Sequence, residues 1–505
     1  MGERAPWFWL GCALISAGVL LHLPMLAMAH RMGNHLYGMP MDAGMWLGMA
    51  AIVAGIPLAV FGALPKHRSL HGDHAGTNYE APDSTPLTRW HAGVLLVLTL
   101  GLVIDVMKPA TLGFVLPGMR AEYQISKATV AWFPFTALVG TTVGSFVWGW
   151  LADIFGRRVS ILLSTILFVS TSICGAMPLF QLNLLMCFLM GCSAGGMLPV
   201  VYTLLAEIMP PKHRSWVLVL VGGTGLVGGY LAASGAAHTF EPLFGWRVLW
   251  LQGFPTGIVL LLLARLIPES PRFLAEQGRT AEIADMQRKY GIVPRPRVAA
   301  PEDAAVATQR HGKLTLALVV TALSWSFINF GLLLWLPTDL QARGFSSTLA
   351  SGILASSALI ALPTIMIAAW TYSRISSKWT LIGSIVLTLA GLLGALIPAE
   401  LLRWEPLIIA VVAMLIVGTN GMIAVLLPYS AENYPLGIRG RATGLIAGAS
   451  KFGGVAVQGF ALAGLIPTLG GAALALLAPM GLSAGLVAWA GRETRGRSLR
   501  ELEAE

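Results

Sequence analysis

Three charged side chains stand in the middle of long apolar runs. Asp105 and Lys108 lie in LVIDVMKPATLGF, and Lys451 lies in AGASKFGGVAVQGF. A charge at mid-membrane costs about 2.5–3.5 kcal/mol unless it is paired or hydrated, so such residues are kept for a task. Asp105 and Lys108 are three residues apart, which puts them on one helix face. Pro109 interrupts the ladder there and frees backbone groups that can line a cavity. The protonation of an aspartate in that setting depends on how wet the cavity is and how near the ammonium stands. The set reads as a proton- and anion-handling centre. Asp105 would bind the coupling proton, and Lys108 and Lys451 would attract a carboxylate or another anion. A buried Asp105–Lys108 ion pair that only sets helix packing is the competing reading.

Other residues in apolar runs could shape a pocket around these charges. ALSWSFINFGLLLWLP carries Trp325, Phe327 and Phe330 with the amide of Asn329. Tyr202, Asn420 and Gln458 are further candidates for contact with a bound molecule. Taken singly, an aromatic in such a run is more often packing or interface belt than a substrate contact.

The elements that must position these residues are membrane helices. Of the 505 residues, 56% are hydrophobic and only 11% charged, too little polar surface for a soluble chain. Runs of about 20 apolar residues, each long enough to cross a bilayer, recur from end to end. The fold class is an all-α polytopic membrane protein with 14 helices, arranged as two, six and six. Residues 1–64 form a two-helix membrane extension and 65–90 a polar, flexible linker. Residues 91–267 form one six-helix half, 268–313 a charged central loop, 314–490 a second half, and 491–505 a charged tail.

The net charge of +9 sits in loops, where it reads as a topology signal and not as a nucleic-acid site. Arg157/Arg158, Lys212/Arg214, Arg374/Lys378, Arg439/Arg441 and the tail mark one side as cytoplasmic, with both termini on it. The expected location is the inner (plasma) membrane, and the expected state a monomer in the lipid bilayer. Cys12, Cys174, Cys187 and Cys192 lie in apolar runs without metal-type spacing and read as packing residues. Residues 7–29 are too long for a typical signal-peptide core and lack a clear cleavage site.

The loops carry a pattern. GWLADIFGRR places Asp153, Arg157 and Arg158 in a tight turn between two spans, with Gly149 and Gly156 beside them. AEIMPPKHR and AENYPLGIRGRATG each place a glutamate seven residues before an arginine, Glu207/Arg214 and Glu432/Arg439, which is evidence of an internal repeat. YSRISSKWT keeps Arg374 and Lys378 but lacks the aspartate of the first turn, so a second latch there is expected to be weaker. PESPRFL holds Glu269 and Arg272, and ETRGRSLRELE holds Glu493 and Arg497. Together these charges read as gate networks on the cytoplasmic face that part when that side opens. Static ordering of the loops is the alternative.

These motifs resemble the major facilitator superfamily. GWLADIFGRR is similar to its loop 2–3 signature, and PESPRFL and ETRGRSLRELE to its sugar-porter branch. The resemblance runs from about His91 to Glu503. It implies two halves built from inverted three-helix repeats, with transport by alternating access driven by a proton gradient and no cofactor. The seventh core helix departs from the sugar carriers, which have a glutamine pair there: it has Asn329 but no glutamine. GCSAGGMLPVVYTLLAE and the basic residue inside helix eleven look more like metabolite:proton symporters. The expected cargo is therefore a small organic anion.

Neither G-x-x-x-x-G-K-[ST] nor H-E-x-x-H occurs, so the expectation is a carrier and not an enzyme or an ATP-driven pump. A rival reading is a metal or metal-chelate carrier. Met25, Met28, Met32, Met39, Met41, Met45 and Met49 cluster with His22, His30 and His35, and thioether and imidazole suit soft metals. The plainer account is adaptable methionine packing at a helix hairpin. A second rival is efflux of drugs or metabolites by proton antiport.

Overall fold

The computed structural model describes residues 4–64, 77–82, 84–296, 311–434, 436–465 and 468–495. The extension comprises α1 (Ala5–Leu20), α2 (Leu23–Arg31) and α3 (Ala43–Ala63). The next group is α4 (Arg89–Tyr123), α5 (Lys127–Val130), α6 (Trp132–Phe155), α7 (Arg157–Ser170), α8 (Phe180–Ala194), α9 (Met197–Ile208), α10 (Pro211–Phe244), α11 (Val248–Leu251) and α12 (Gly253–Leu263). Two short helices, α13 (Pro271–Glu276) and α14 (Thr280–Tyr290), follow. The last group is α15 (Gly312–Ser326), a π-helical turn (Phe327–Leu333), α16 (Leu336–Ala342), α17 (Ser347–Arg374), α18 (Ser377–Gly394), α19 (Ala399–Leu402), α20 (Glu405–Asn433), α21 (Leu436–Leu462) and α22 (Leu469–Ala490).

Thirteen helices among the described residues are long and apolar enough to cross a membrane, and where the sequence placed a further span the structure has the shorter apolar stretch Val248–Leu263. Side-chain caps fix several starts. The Asp42 carboxylate accepts from Met45 N at 2.7 Å before α3, and Ser376 Oγ accepts from Trp379 N at 3.0 Å before α18. The linker departs from the flexible connector expected of its composition. Thr77–Glu80 (β1) pairs antiparallel with Val293–Pro296 (β2) of the central loop, and Thr88 Oγ1 donates to the Lys289 carbonyl at 2.9 Å.

The chain divides into two compact units. The first is Met1–Ser126, Thr136–Arg214 and Thr239–Arg297; the second is Lys127–Phe135, Ser215–His238 and Val298–Glu505. In the first unit, glycines at seven-residue spacing let α1 and α3 lie backbone to backbone. A Cβ on Gly11 would stand 2.6 Å from the Gly55 carbonyl, and one on Gly18 2.6 Å from that of Gly48. The methionines of the extension fill a core. Val19, Met25, Ala29, Leu36, Met45 and Ile52 bury against Ile173 and Met177, with Met39, Met41 and Met49 packed beside them. Met28, His30 and His35 are exposed. Among the described residues there is no group of three or more His, Cys, Asp or Glu able to hold a metal ion.

Candidate functional site: two polar centres and two loop-end networks

In the first unit the polar centre is built on α4. Lys108 is fully buried. Its Nζ donates to the Phe168 carbonyl and to Thr171 Oγ1, both at 2.6 Å, and stands 4.5 Å from the centroid of the Phe168 ring. A carbonyl, a hydroxyl and an aromatic face thus solvate the ammonium without neutralising it. Gly253 makes room for the lysine stem: a Cβ there would stand 3.3 Å from Lys108 Cδ and Cε and 2.9 Å from Ser172 Oγ. One turn further along α4, Thr111 Oγ1 accepts from Gln252 Nε2 at 2.9 Å. Asp105 is buried at 6% exposure, one turn before Lys108. The Tyr202 hydroxyl on α9 is buried without a hydrogen-bond partner among the described residues.

In the second unit the centre lies where the π turn meets α21. Ser326 Oγ donates to the Ser450 carbonyl at 2.5 Å, so the turn bearing Trp325 and the turn bearing Lys451 are held side by side. Trp325 packs edge-on to Phe330, with ring centroids 5.7 Å apart, and its buried Nε1 has no hydrogen-bond partner among the described residues. Lys451 and Asn329 are half-buried. Gln458 is fully buried and spends both ends of its amide inside the unit: Nε2 donates to the Phe330 carbonyl at 2.5 Å, and Oε1 accepts from Trp335 Nε1 at 3.3 Å. Asn420 is buried, and its Nδ2 donates to the Ile416 carbonyl of its own helix at 2.9 Å.

The charged loops form two networks with matching anchors. In the first unit, Glu269 caps α7. Its Oε1 accepts from Arg157 N at 2.7 Å, Arg158 N at 3.3 Å and Ser270 N at 2.9 Å. Gly156 permits this with φ +98°, and a Cβ there would strike the Glu269 carboxylate at 2.3 Å. Burial pushes the Glu269 carboxyl above its ordinary range, against the amide donors and Arg157, which pull it down. The Arg157 side chain bridges Glu207 at 3.2 Å, Asp153 at 3.5 Å and the Ala152 carbonyl at 3.0 Å. Asp153 is largely exposed.

In the second unit, Glu493 caps α18 in the same way. Oε1 accepts from Ser377 N at 2.9 Å, Ser377 Oγ at 2.7 Å and Arg495 N at 3.0 Å, and Oε2 from Ser376 Oγ. Burial pushes this carboxyl up, but the serine and amide donors outweigh it and hold it below the ordinary range. Glu432, the counterpart of Glu207, meets hydroxyls: Tyr372 at 2.7 Å, Thr494 at 2.7 Å, and Ser215. Among the described residues, one network is held by a guanidinium and the other by hydroxyls.

Arg272 is exposed and pairs with Glu276 on its own helix at 3.1 Å, because both lie on the solvent side of a short helix. Arg214 Nη2 reaches the Met209 carbonyl of its own loop at 3.4 Å. The Arg439 side chain and Arg497 lie outside the described residues.

Sequence reasoning missed one node. Glu122, at the far end of α4, is buried against Arg247, with Oε1 accepting from Nη2 at 2.7 Å and Oε2 from Nε at 3.1 Å. Trp246 Nε1 adds a third donor at 3.0 Å, and the amides of Leu36 and Tyr37 in the extension's loop add two more at 2.7 and 2.9 Å. An acid and a base 125 residues apart, each near a helix end, leave no local spacing signal.

Helical spans in two groups, buried charges and loop-end charge networks together define a multi-pass carrier. The sequence profile described as the Major Facilitator Superfamily matches residues 98–457, and the chain belongs to that family. The match begins after the two-helix extension. The chain is 27% identical over 394 residues to the niacin transporter NiaP of Acinetobacter baylyi, covering 74% of this chain and 87% of that protein. It is 29% identical over 431 residues to the 4-hydroxybenzoate transporter PcaK of Pseudomonas putida, covering 79% and 92%. Its fold is similar to that of the xylose transporter XylE from E. coli in a partially occluded inward open conformation, with a TM-score of 0.64, 17% identity, and coverage of 81% of this chain and 100% of that one. The chain is a membrane transporter for a small-molecule metabolite and not an enzyme.

Proposed function

We propose that this transporter moves a small organic anion, best an aromatic monocarboxylate, across the plasma membrane by proton-coupled alternating access. It works as a monomer with both termini in the cytoplasm. The observation that carries the reading is the second unit's centre. The Trp325–Phe330 pair offers an aromatic wall, the Trp325 Nε1 is buried with no partner among the described residues, and Lys451 follows Ser450, whose carbonyl Ser326 holds. An aromatic ring with a carboxylate has the chemistry to meet all three: stacking, a hydrogen bond accepted from the indole, and an ammonium counter-charge. Relatives named for niacin and 4-hydroxybenzoate transport support the same class.

The first unit supplies the proton link. Lys108 is a fixed positive charge held by neutral partners, and Asp105 stands one turn away in the same buried region. When Asp105 is protonated the region keeps the positive charge of Lys108 and favours arrival of an anion; when it is ionised the two charges offset and the anion is released. Proton and anion are thereby taken up together. Glu207 with Arg157, and Glu432 with its hydroxyls, act as the latches of the cytoplasmic side. Asp153, Arg158, Glu269 and Glu493 order the loops that carry them.

The test is uptake by proteoliposomes containing the purified protein, with labelled 4-hydroxybenzoate, niacin and xylose compared under an imposed pH gradient. Uphill accumulation of an aromatic acid with none of xylose supports the reading; uptake of xylose alone would replace it.

A further inference from the structure

The span made of α15, the π turn and α16 is not a continuous α-helix. Pro337 has no amide hydrogen to offer the turn before it, and between Phe327 and Leu333 the chain widens into a π turn. Leu334 N donates to the Asn329 carbonyl at 3.2 Å, one residue further back than an α-helix would reach. The next carbonyl, that of Phe330, accepts the amide of Gln458 from α21 at 2.5 Å. The other end of that amide is fixed by Trp335 Nε1, from the residue just before α16. One glutamine thus spans the π turn, gripping a carbonyl inside it and the indole that follows it. The two elements are in close contact here: a Cβ on Gly331 would stand 2.7 Å from Val457.

Gln458 is fully buried and each of its polar atoms already has a partner within the protein, so the pose of its amide is set by the π turn and Trp335. The side chain one residue before the gripped carbonyl, Asn329, is half-buried, and no hydrogen bond from its amide is found among the described residues. We propose that Gln458 is a positioning residue for cargo recognition. By filling the Phe330 carbonyl it fixes the π turn and so fixes where Asn329 and Phe330 meet the transported molecule. This rests on the reading that the Trp325–Asn329–Phe330 surface contacts cargo. It also moves Gln458 from the contact role its type suggested to one that acts through another residue.

The experiment uses the reconstituted full-length protein and counterflow exchange of 4-hydroxybenzoate, which reads KM and the maximal rate without a net proton gradient. The variants are Gln458→Met, Gln458→Glu, Trp335→Phe, Asn329→Ala and the double variant Gln458→Met/Asn329→Ala. Gln458→Glu keeps an acceptor for Trp335 but, when ionised, loses the donor to Phe330. The expected result is that Gln458→Met raises KM about tenfold, the scale of one lost hydrogen bond, with the maximal rate within about twofold. Gln458→Glu does the same, and Trp335→Phe has a smaller effect. The double variant is no worse than Asn329→Ala alone, because both changes remove the same contact. Additive losses in the double variant would overturn the proposal and return Gln458 to direct contact. A fall in rate at unchanged KM would overturn it in favour of a purely structural role. If Asn329→Ala leaves KM unchanged, it is the cargo surface itself that fails, which the single variant reveals by itself. Should Gln458→Met not fold, the comparison of Gln458→Glu with Trp335→Phe decides, since they remove opposite ends of the bridge.

Discussion

Arg247 and Glu122 form a buried ion pair whose carboxylate is completed by the backbone amides of Leu36 and Tyr37. The Arg247 guanidinium is completed in turn by the carbonyls of Gly175 and Met177 at 2.9 and 3.1 Å. The two-helix extension is therefore wired into the first unit. Its loop supplies donors to a charge that would otherwise be short of them, and its methionines bury Ile173 and Met177.

Arg247→Met strips the pair of its cation and leaves a buried carboxylate. Breaking a buried pair in this way costs about 3–5 kcal/mol. The expected result is a clear fall in the thermal unfolding midpoint in detergent, partly recovered by adding Glu122→Gln. Deleting residues 1–64 should lower the midpoint too, since it removes the Leu36 and Tyr37 amides and uncovers the Met177 surface. An unchanged midpoint in the deletion would show the extension to be peripheral.

Gly253→Val should damage coupling by moving Lys108. The slot beside Lys108 is only as wide as the missing side chain, with a Cβ already 3.3 Å from the lysine stem. A branched side chain forces the ammonium off Phe168 and Thr171. Uphill uptake should fall at least tenfold, about the scale of 1.4 kcal/mol, with the protein still folded. Normal accumulation would mean that Lys108 has no part in transport.

The two loop-end networks should respond differently to loss of charge. Glu207→Gln removes a charge from a bridge to Arg157, whereas Glu432→Gln keeps an oxygen that can still accept from Tyr372 and Thr494. Labelling by a thiol reagent of a single cysteine introduced behind each loop-end network should therefore rise more in Glu207→Gln than in Glu432→Gln. Equal responses would contradict the asymmetry.

The helix caps give the two units opposite acid responses. Glu269 is raised above the ordinary carboxylate value, so the folded state binds its proton first. That contribution to stability is present below the ordinary value and is lost as pH rises through the raised one. Glu493 is lowered, so its contribution is present above the ordinary value and is lost as pH falls through the lowered one. On acidification Glu493→Gln should flatten the loss of stability below the ordinary carboxylate range, and Glu269→Gln should remove a gain just above it. Unfolding midpoints against pH for the two variants check the signs.

Much of this arrangement was legible in the chain. Apolar runs marked the spans, because that signal is local and periodic, and the spacing shared by Glu207/Arg214 and Glu432/Arg439 marked only a likeness between two loops. The partners of those charges were not legible. Glu432 meets Tyr372, Thr494 and Ser215, hydroxyls that no charge pattern flags and that lie 60, 62 and 217 residues away. Lys108 read as a charge that attracts an anion, with an ion pair to Asp105 as the competing reading because both share a helix face. Its acceptors instead come from α7 and the turn that follows it, a packing outcome that spacing along α4 does not encode. Gln458 looked like a cargo contact by type, and only the π turn opposite it explains why both of its ends are taken.

The most direct test of the account is Asp105→Asn in proteoliposomes supplied with 4-hydroxybenzoate. Uphill accumulation driven by a pH gradient and exchange at equilibrium are measured on the same preparation. The account predicts that accumulation is abolished while exchange persists, since the anion still meets Lys451 and the Trp325–Phe330 wall but no longer carries a proton with it. Accumulation at the wild-type level would contradict it.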